Sequence, residues 1–319
     1  MQKNLKNTFE EITSSWVTQN DAGDFIIEPR KQKRLGDYSI KFHELNLDDF
    51  TDAIVVFTKA LYFGRSNVLF QDEHLLMWTW GANLVTATVL EGSFVGKEID
   101  YEKRRLFETF VRSFIPLPNF GRPSNELEAN LENFLRNRSV LQGYLGFPFL
   151  ERILKEKCGA FVDLNGNVIQ DFVVNRLNGK NPKSYIVNER YKNKISSIED
   201  LLYFYLENIV SKEIKLKIED ILDHLLPSFD YPHQEKPLHG AQIISSWRNS
   251  SLHGAENLQT IGGILLALIL LIEFDSIKEE FDIVHKEALM NYNHFKKSKC
   301  DTYYSLFPEE YYPYNHPWV

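Results

Sequence analysis

Between Asn46 and Gly64 the apolar residues Leu47, Phe50, Ile54, Phe57 and Leu61 fall three, four, three and four positions apart. That step places side chains on one face of an α-helix, and Gly64 stands where such a helix would stop. The same pattern predicts a helix from Asp72 through Leu75, Leu76, Thr79, Asn83 and Thr86 towards Leu90. It predicts another from Asp100 to Phe114, carrying Leu106, Phe110 and Phe114 and ended by Pro116 and Pro118. Asn125 and Glu128 read as an N-cap and its capping-box partner, opening a helix from Glu126 to Arg138 with Leu127, Leu131 and Phe134 on one face. The first 40 residues, polar and with Asp21-Ala22-Gly23-Asp24 as a turn signal, read as irregular.

A new unit opens near Ser139. Tyr144, Phe147, Leu150, Ile153 and Leu154 mark an apolar helix, acceptable with Pro148 only if that residue lies in its first turn. Residues 160–169 alternate around Asn165-Gly166, a hairpin signal because both turn positions favour positive φ. Residues 160–195 therefore read as a small β-bearing excursion between helices. Ser196 and Glu199 form a capping box before the dense apolar helix Leu201 to Ile209. Ile214, Ile218, Ile221, Leu222 and Leu225 make the next helix, ended by Pro227. After a loop from Ser228 to Gly240, stretches from Ala241 to about Asn249 and from about Ala255 to Phe274 complete the helical pattern. The tail from Tyr303 to Val319, rich in Tyr and Pro, reads as an extended strap on the body. The prediction is an all-α protein in three parts. Residues 1–138 form an N-terminal helical module, 139–295 a helical bundle with a small β-hairpin insertion, and 296–319 an aromatic, Pro-rich tail.

With 319 residues and 43% hydrophobic content the chain can bury a sizeable core. Its most apolar stretch, Ile261 to Ile272, is closed by Glu273. A membrane span needs roughly 20 apolar residues, so this reads as a buried helix and no membrane partner is expected. Cys158 and Cys300 are the two cysteines, too few and too far apart for a disulfide framework or a CxxC knuckle. The opening MQKNLKNTFEEITSSW has no apolar signal core, and the reading is cytoplasmic. A net charge of −8 and a pI near 5.7 argue against a protein that coats nucleic acid, though not against an enzyme gripping a few phosphates. The basic run Arg30-Lys31-Gln32-Lys33-Arg34 reads as a solvated loop, and Trp78 and Trp80 beside His74 as core and surface aromatics. His224, His233 and His239 lie near Asp223, Asp230 and Glu235 without helical metal-ligand spacing, so no metal is expected there and no cofactor elsewhere. Nor is there a phosphate-binding loop, nucleophile elbow, dinucleotide fingerprint or zinc-protease motif.

The chemistry gathers in Ser246-Trp247-Arg248-Asn249-Ser250-Ser251-Leu252-His253-Gly254. Arg248 is a fixed cation whose planar fork suits a phosphate. His253 takes and gives a proton near neutral pH, and Asn249 adds a neutral donor and acceptor beside them. Together they are a minimal kit for cutting RNA without a metal. Five positions along a regular helix rotate by about 500°, leaving the two side chains about 140° apart. Either the helix breaks at Asn249-Ser250-Ser251, or a second copy completes the site across a two-fold axis. His239 just upstream is a candidate to line the same cleft, and Glu256 to orient the imidazole. The plainer reading sets beside this an Arg248 that only caps carbonyls near a helix end and a Glu256 that is a surface carboxylate.

Arg-Asn-x-x-x-His followed by Gly254 and a long apolar helix from Thr260 to Ile272 resembles the HEPN superfamily, over roughly residues 140–290. Arg248 and His253 match the motif arginine and histidine, and Asn249 the polar position after the arginine. The resemblance implies a helical homodimer with a composite Arg/His site that cleaves RNA without metal. It also implies a role in bacterial toxin, abortive-infection or antiviral defence systems. A non-catalytic member that binds nucleotides or serves as a scaffold is the alternative it leaves open. The N-terminal module is then expected to sense a trigger, through a regulatory partner or ligand, to select substrate or to restrain the nuclease.

Overall fold

The computed structural model describes residues 5–19, 25–26, 31–63, 66–67, 72–86, 101–114, 139–177, 179–228, 237–251 and 258–298. They form the helices α1 (Leu5–Ser14), α2 (Leu47–Lys59), α3 (Asp72–Val85), α4 (Tyr101–Arg112), α5 (Ser139–Lys157), α6 (Ile198–Asn208), α7 (Lys212–Leu225), α8 (Gly240–Ser251), α9 (Leu258–Ile277) and α10 (Phe281–Ser298). Short antiparallel pairs join β1 (Thr18–Gln19) to β2 (Phe25–Ile26), β3 (Tyr62–Phe63) to β4 (Ser66–Asn67), and β5 (Phe172–Val174) to β6 (Lys183–Tyr185). The expected all-α class with a small β insertion is what the chain forms. The helix expected over 126–138, the Tyr- and Pro-rich tail and most of the loop before α8 lie outside the described residues.

Every residue from Thr260 to Phe274 on α9 is buried. A helix apolar on all sides must be covered on all sides, and α2, α3, α5 and α7 do so. Composition alone would let this helix cross a membrane, but it is the centre of the core. Its widest contact is with α5. There Gly262 lets the two backbones close up: a Cβ on it would lie 2.5 Å from Gln142 Cβ. Gly262→Ala is therefore expected to cost about 2 kcal/mol of stability through overpacking. Chemical denaturation measures it, and a loss near zero would mean the helices part freely at this crossing.

The two helical parts do not hold separate cores. One cluster of buried side chains runs from Phe9 to Tyr292, and α2 and α3 pack directly on α9. The described helices on either side of residue 138 thus share one core, since α9 is covered by α2 and α3 from one side and by α5 and α7 from the other.

Other expectations change for local reasons. Residues 5–14 are helical, not irregular. Phe9, Ile12 and Trp16 are fully buried at helical spacing within a polar stretch. The basic run is not simply solvated, since Lys33 pairs with Glu11 and Arg34 holds the buried Glu73 at 2.8 Å. Pro148 lies in the middle of α5, not its first turn. It sits on the exposed side of the helix, where the Tyr144 carbonyl that it leaves without an N–H can be reached by water. The cap of α6 is Ser197, whose hydroxyl accepts from Asp200 N–H, one residue beyond the expected Ser196. The shift turns Asp200 inward. Buried at 1% exposure, it receives Arg176 through two bonds of 2.8 and 2.9 Å and the Tyr185 hydroxyl at 2.6 Å.

Candidate functional site

A turn does form at Asn165-Gly166 between the bridged Val162 and Val168, but only Gly166 takes positive φ (81°), where the sequence led both positions to be expected there. Gly166 O accepts Ile195 N–H at 2.8 Å, and Asn167 bridges to Lys194. A Cβ on Gly166 would lie 2.4 Å from Ile195 O, so the backbone must come close here. The excursion is therefore braced against residues 193–195, just before Ser196, while the Asp200 cluster ties its β5–β6 ladder to α6. What this bracing presents is the Ser196 carbonyl, directed at Arg248.

Helix α8 starts where Gly240 packs against the Leu222 backbone at the end of α7. Ile243, Ile244 and Trp247 face the core, and Trp247 stacks on Tyr62 at 6.4 Å between centroids. One position on, Arg248 turns outward with its side chain 32% exposed. Its guanidinium donates to Glu151 on α5 at 2.8 Å and to Ser196 O at 3.2 Å. Glu151 also holds Lys155 at 2.8 Å, so one carboxylate sits between two cations. Asn249 is exposed beside Arg248.

Arg248 borders a pocket of about 680 Å³ lined by residues of α4, α5, the 164–166 turn and α8. Its floor and walls are Gly143, Phe147 and Pro148, and Tyr144 and Leu164 stand exposed at the edge. Arg152, Lys155 and Arg248 supply three cations against the carboxylates of Glu102 and Glu151. Glu102 comes from α4, so the N-terminal half contributes to this site. The lining thus carries one more cation than carboxylate, on a chain of net charge −8.

Of the residues singled out in the sequence, the structure places Arg248 and Asn249 together on the outward side of α8. His239 is not with them. It precedes the first turn of α8, about 13 Å along the axis from Arg248 at 1.5 Å per residue. There it is buried, accepts Ala241 N–H at Nδ1 (3.1 Å) and packs edge-on to Tyr203 at 5.2 Å. Burial pushes its pKa down. Its role is to start the helix, a local duty that polar sequence around a cleft also suggests. His253 and Glu256 lie outside the described residues, and α8 is described to Ser251. His224 contacts Tyr62 O at 3.0 Å. Among the described residues no three His, Cys, Asp or Glu side chains gather as a metal site would.

Glu151, Lys155, Tyr144 and Ser196 had no functional signal in the sequence. Glu151 and Lys155 are an ordinary i,i+4 pair until α5 packs beside α8, and only that contact gives them meaning. The fold and site thus define an all-α protein with an arginine-bordered, locally cationic pocket. Comparison with family models, with characterised proteins and with solved structures finds no match to this chain.

Proposed function

We propose that this chain is a metal-independent endoribonuclease of HEPN type, a cytoplasmic homodimer acting in a bacterial toxin or antiviral role. The observation that supports it most is the position of Arg248, turned out of the core at the mouth of a cationic pocket, five residues before His253. In this reading the imidazole removes the proton from a ribose 2′-OH as that oxygen attacks phosphorus. The bond from phosphorus to the 5′-oxygen breaks, and an imidazolium, the same or the partner copy's, protonates the leaving oxygen. The guanidinium stabilises charge on the non-bridging oxygens. Single-stranded RNA suits the step because in-line attack needs a backbone free to rotate. A phosphate reaching Arg248 competes with Glu151, so cutting is expected to weaken as salt rises. The test is incubation of purified protein with single-stranded RNA in EDTA. Cleavage that EDTA abolishes would overturn the reading.

A second reading has its own observation. Arg248 joins α5 and the Ser196 carbonyl to α8, which is what a structural clamp does. As a non-catalytic binding or scaffold protein, the chain would leave RNA intact and lose stability in Arg248→Ala.

A further inference from the structure

We infer that the pocket beside Arg248 receives a single nucleotide, with its base against Tyr144 and its phosphate between Arg248 and Lys155. The proposal deepens the ribonuclease reading and rests on it for the expectation that the nucleotide belongs to an RNA strand. A volume of about 680 Å³ falls within the range of roughly 300–1,000 Å³ usual for small-ligand sites. The lining is divided as a nucleotide is divided.

At one side stands Tyr144, 45% exposed, with Pro148 one turn further along α5 and Phe147 behind it. An exposed aromatic ring lining the pocket from a helix is a stacking surface for any base. Pro148 matters doubly, since it has no N–H to give the Tyr144 carbonyl, and that break in the helical ladder lies on the pocket side. At the other side are the guanidinium of Arg248 and the ammonium of Lys155, both already directed at the Glu151 carboxylate. A phosphate is the group that can take the place of that carboxylate, because it offers more oxygens and more charge to the same two cations. Glu151, once displaced, and Glu102 are lining carboxylates that can accept from ribose hydroxyls and base amino groups. A pocket built for phosphate alone would not carry two carboxylates and an aromatic edge.

The experiment is calorimetric titration of the full chain with AMP in EDTA, with inorganic phosphate and adenosine as controls. AMP is expected to bind at least tenfold more tightly than either control. Tyr144→Ala should weaken AMP about tenfold while leaving phosphate within twofold. Tyr144 is exposed, so this variant should fold. Leu164→Asp, which adds a negative charge on the exposed turn at the pocket edge, provides a second and independent loss. Phosphate binding as tightly as AMP, or both variants leaving AMP within twofold of wild type, overturns the proposal. Cleavage by the wild type and by Tyr144→Ala separates the two readings. If wild type cuts no RNA but binds AMP through Tyr144, the nuclease reading falls and the pocket stands. If RNA is cut equally well by Tyr144→Ala and AMP does not compete, the pocket reading falls and the nuclease stands.

Discussion

Arg248→Ala and His253→Ala are each expected to slow metal-free cleavage of single-stranded RNA by about a hundredfold or more. Removing a positioned acid–base group or a preorganised donor to the reacting phosphate costs losses on that order. The two variants should fail for different reasons. His253→Ala removes proton transfer and should flatten the pH–rate profile around neutrality. Arg248→Ala removes charge stabilisation and also leaves Glu151 with Lys155 alone beside the pocket, so substrate binding should weaken as well. Arg248→Lys keeps the charge but lacks the fork that reaches both Glu151 and Ser196 O, and should recover little. The measurement is initial rate on a labelled RNA, with the fold checked by circular dichroism. Undiminished cutting by any properly folded Ala variant sinks the mechanism.

The second large effect concerns acid. His74 is fully buried, its Nε2 lying 2.8 Å from Phe57 O, among the rings of Trp16, Trp78 and Phe57. Burial pushes its pKa down from 6.5 to about 4, despite the carbonyl that favours the protonated ring. The unfolded chain therefore binds a proton near pH 6.5 that the folded chain refuses until about pH 4. Stability is full above the higher value, falls as pH drops through it, and levels off below the lower one. The loss is about 3 kcal/mol over that window. His239, also pushed down by burial, adds in the same direction. Urea denaturation as a function of pH measures the slope, and His74→Leu should flatten most of it. An unchanged slope in that variant would show that another group controls the acid limb.

Much of the fold could be read along the chain because its helices carry their own signals. Asn46 caps α2 through Asp49 N–H, and the three-four spacing that follows is the buried face. Helix α8 falls within two residues of its expected bounds. Helix α1 was harder to see, because Leu5, Phe9, Ile12 and Trp16 keep the spacing but are diluted by Asn, Thr and Glu. Pro148 misled in the opposite sense, since a proline's cost depends on which side of the helix it faces, and sequence does not state that. The division at residue 138 weighed each half by itself, whereas α9 is covered by helices from both sides of it.

The site was legible only in part. The chemistry of Arg248 and Asn249 singles them out as candidates, and both lie on the outward side of α8. Glu151 lies 97 positions away in sequence from the arginine it holds. No local pattern encodes a meeting of that kind, which follows from how α5 and α8 pack around a shared core. The β excursion looked like an interruption of the bundle. In three dimensions it braces the Ser196 carbonyl and places Leu164 at the edge of the pocket.

The most direct test of the central claim is mass spectrometry of the new RNA ends formed in EDTA. One imidazole and one guanidinium acting on a 2′-hydroxyl leave a 2′,3′-cyclic phosphate upstream and a 5′-hydroxyl downstream. A 3′-hydroxyl with a 5′-phosphate, or cleavage that persists at a 2′-deoxy nucleotide, would mean that water attacks the phosphorus and that Arg248 and His253 do not perform this chemistry.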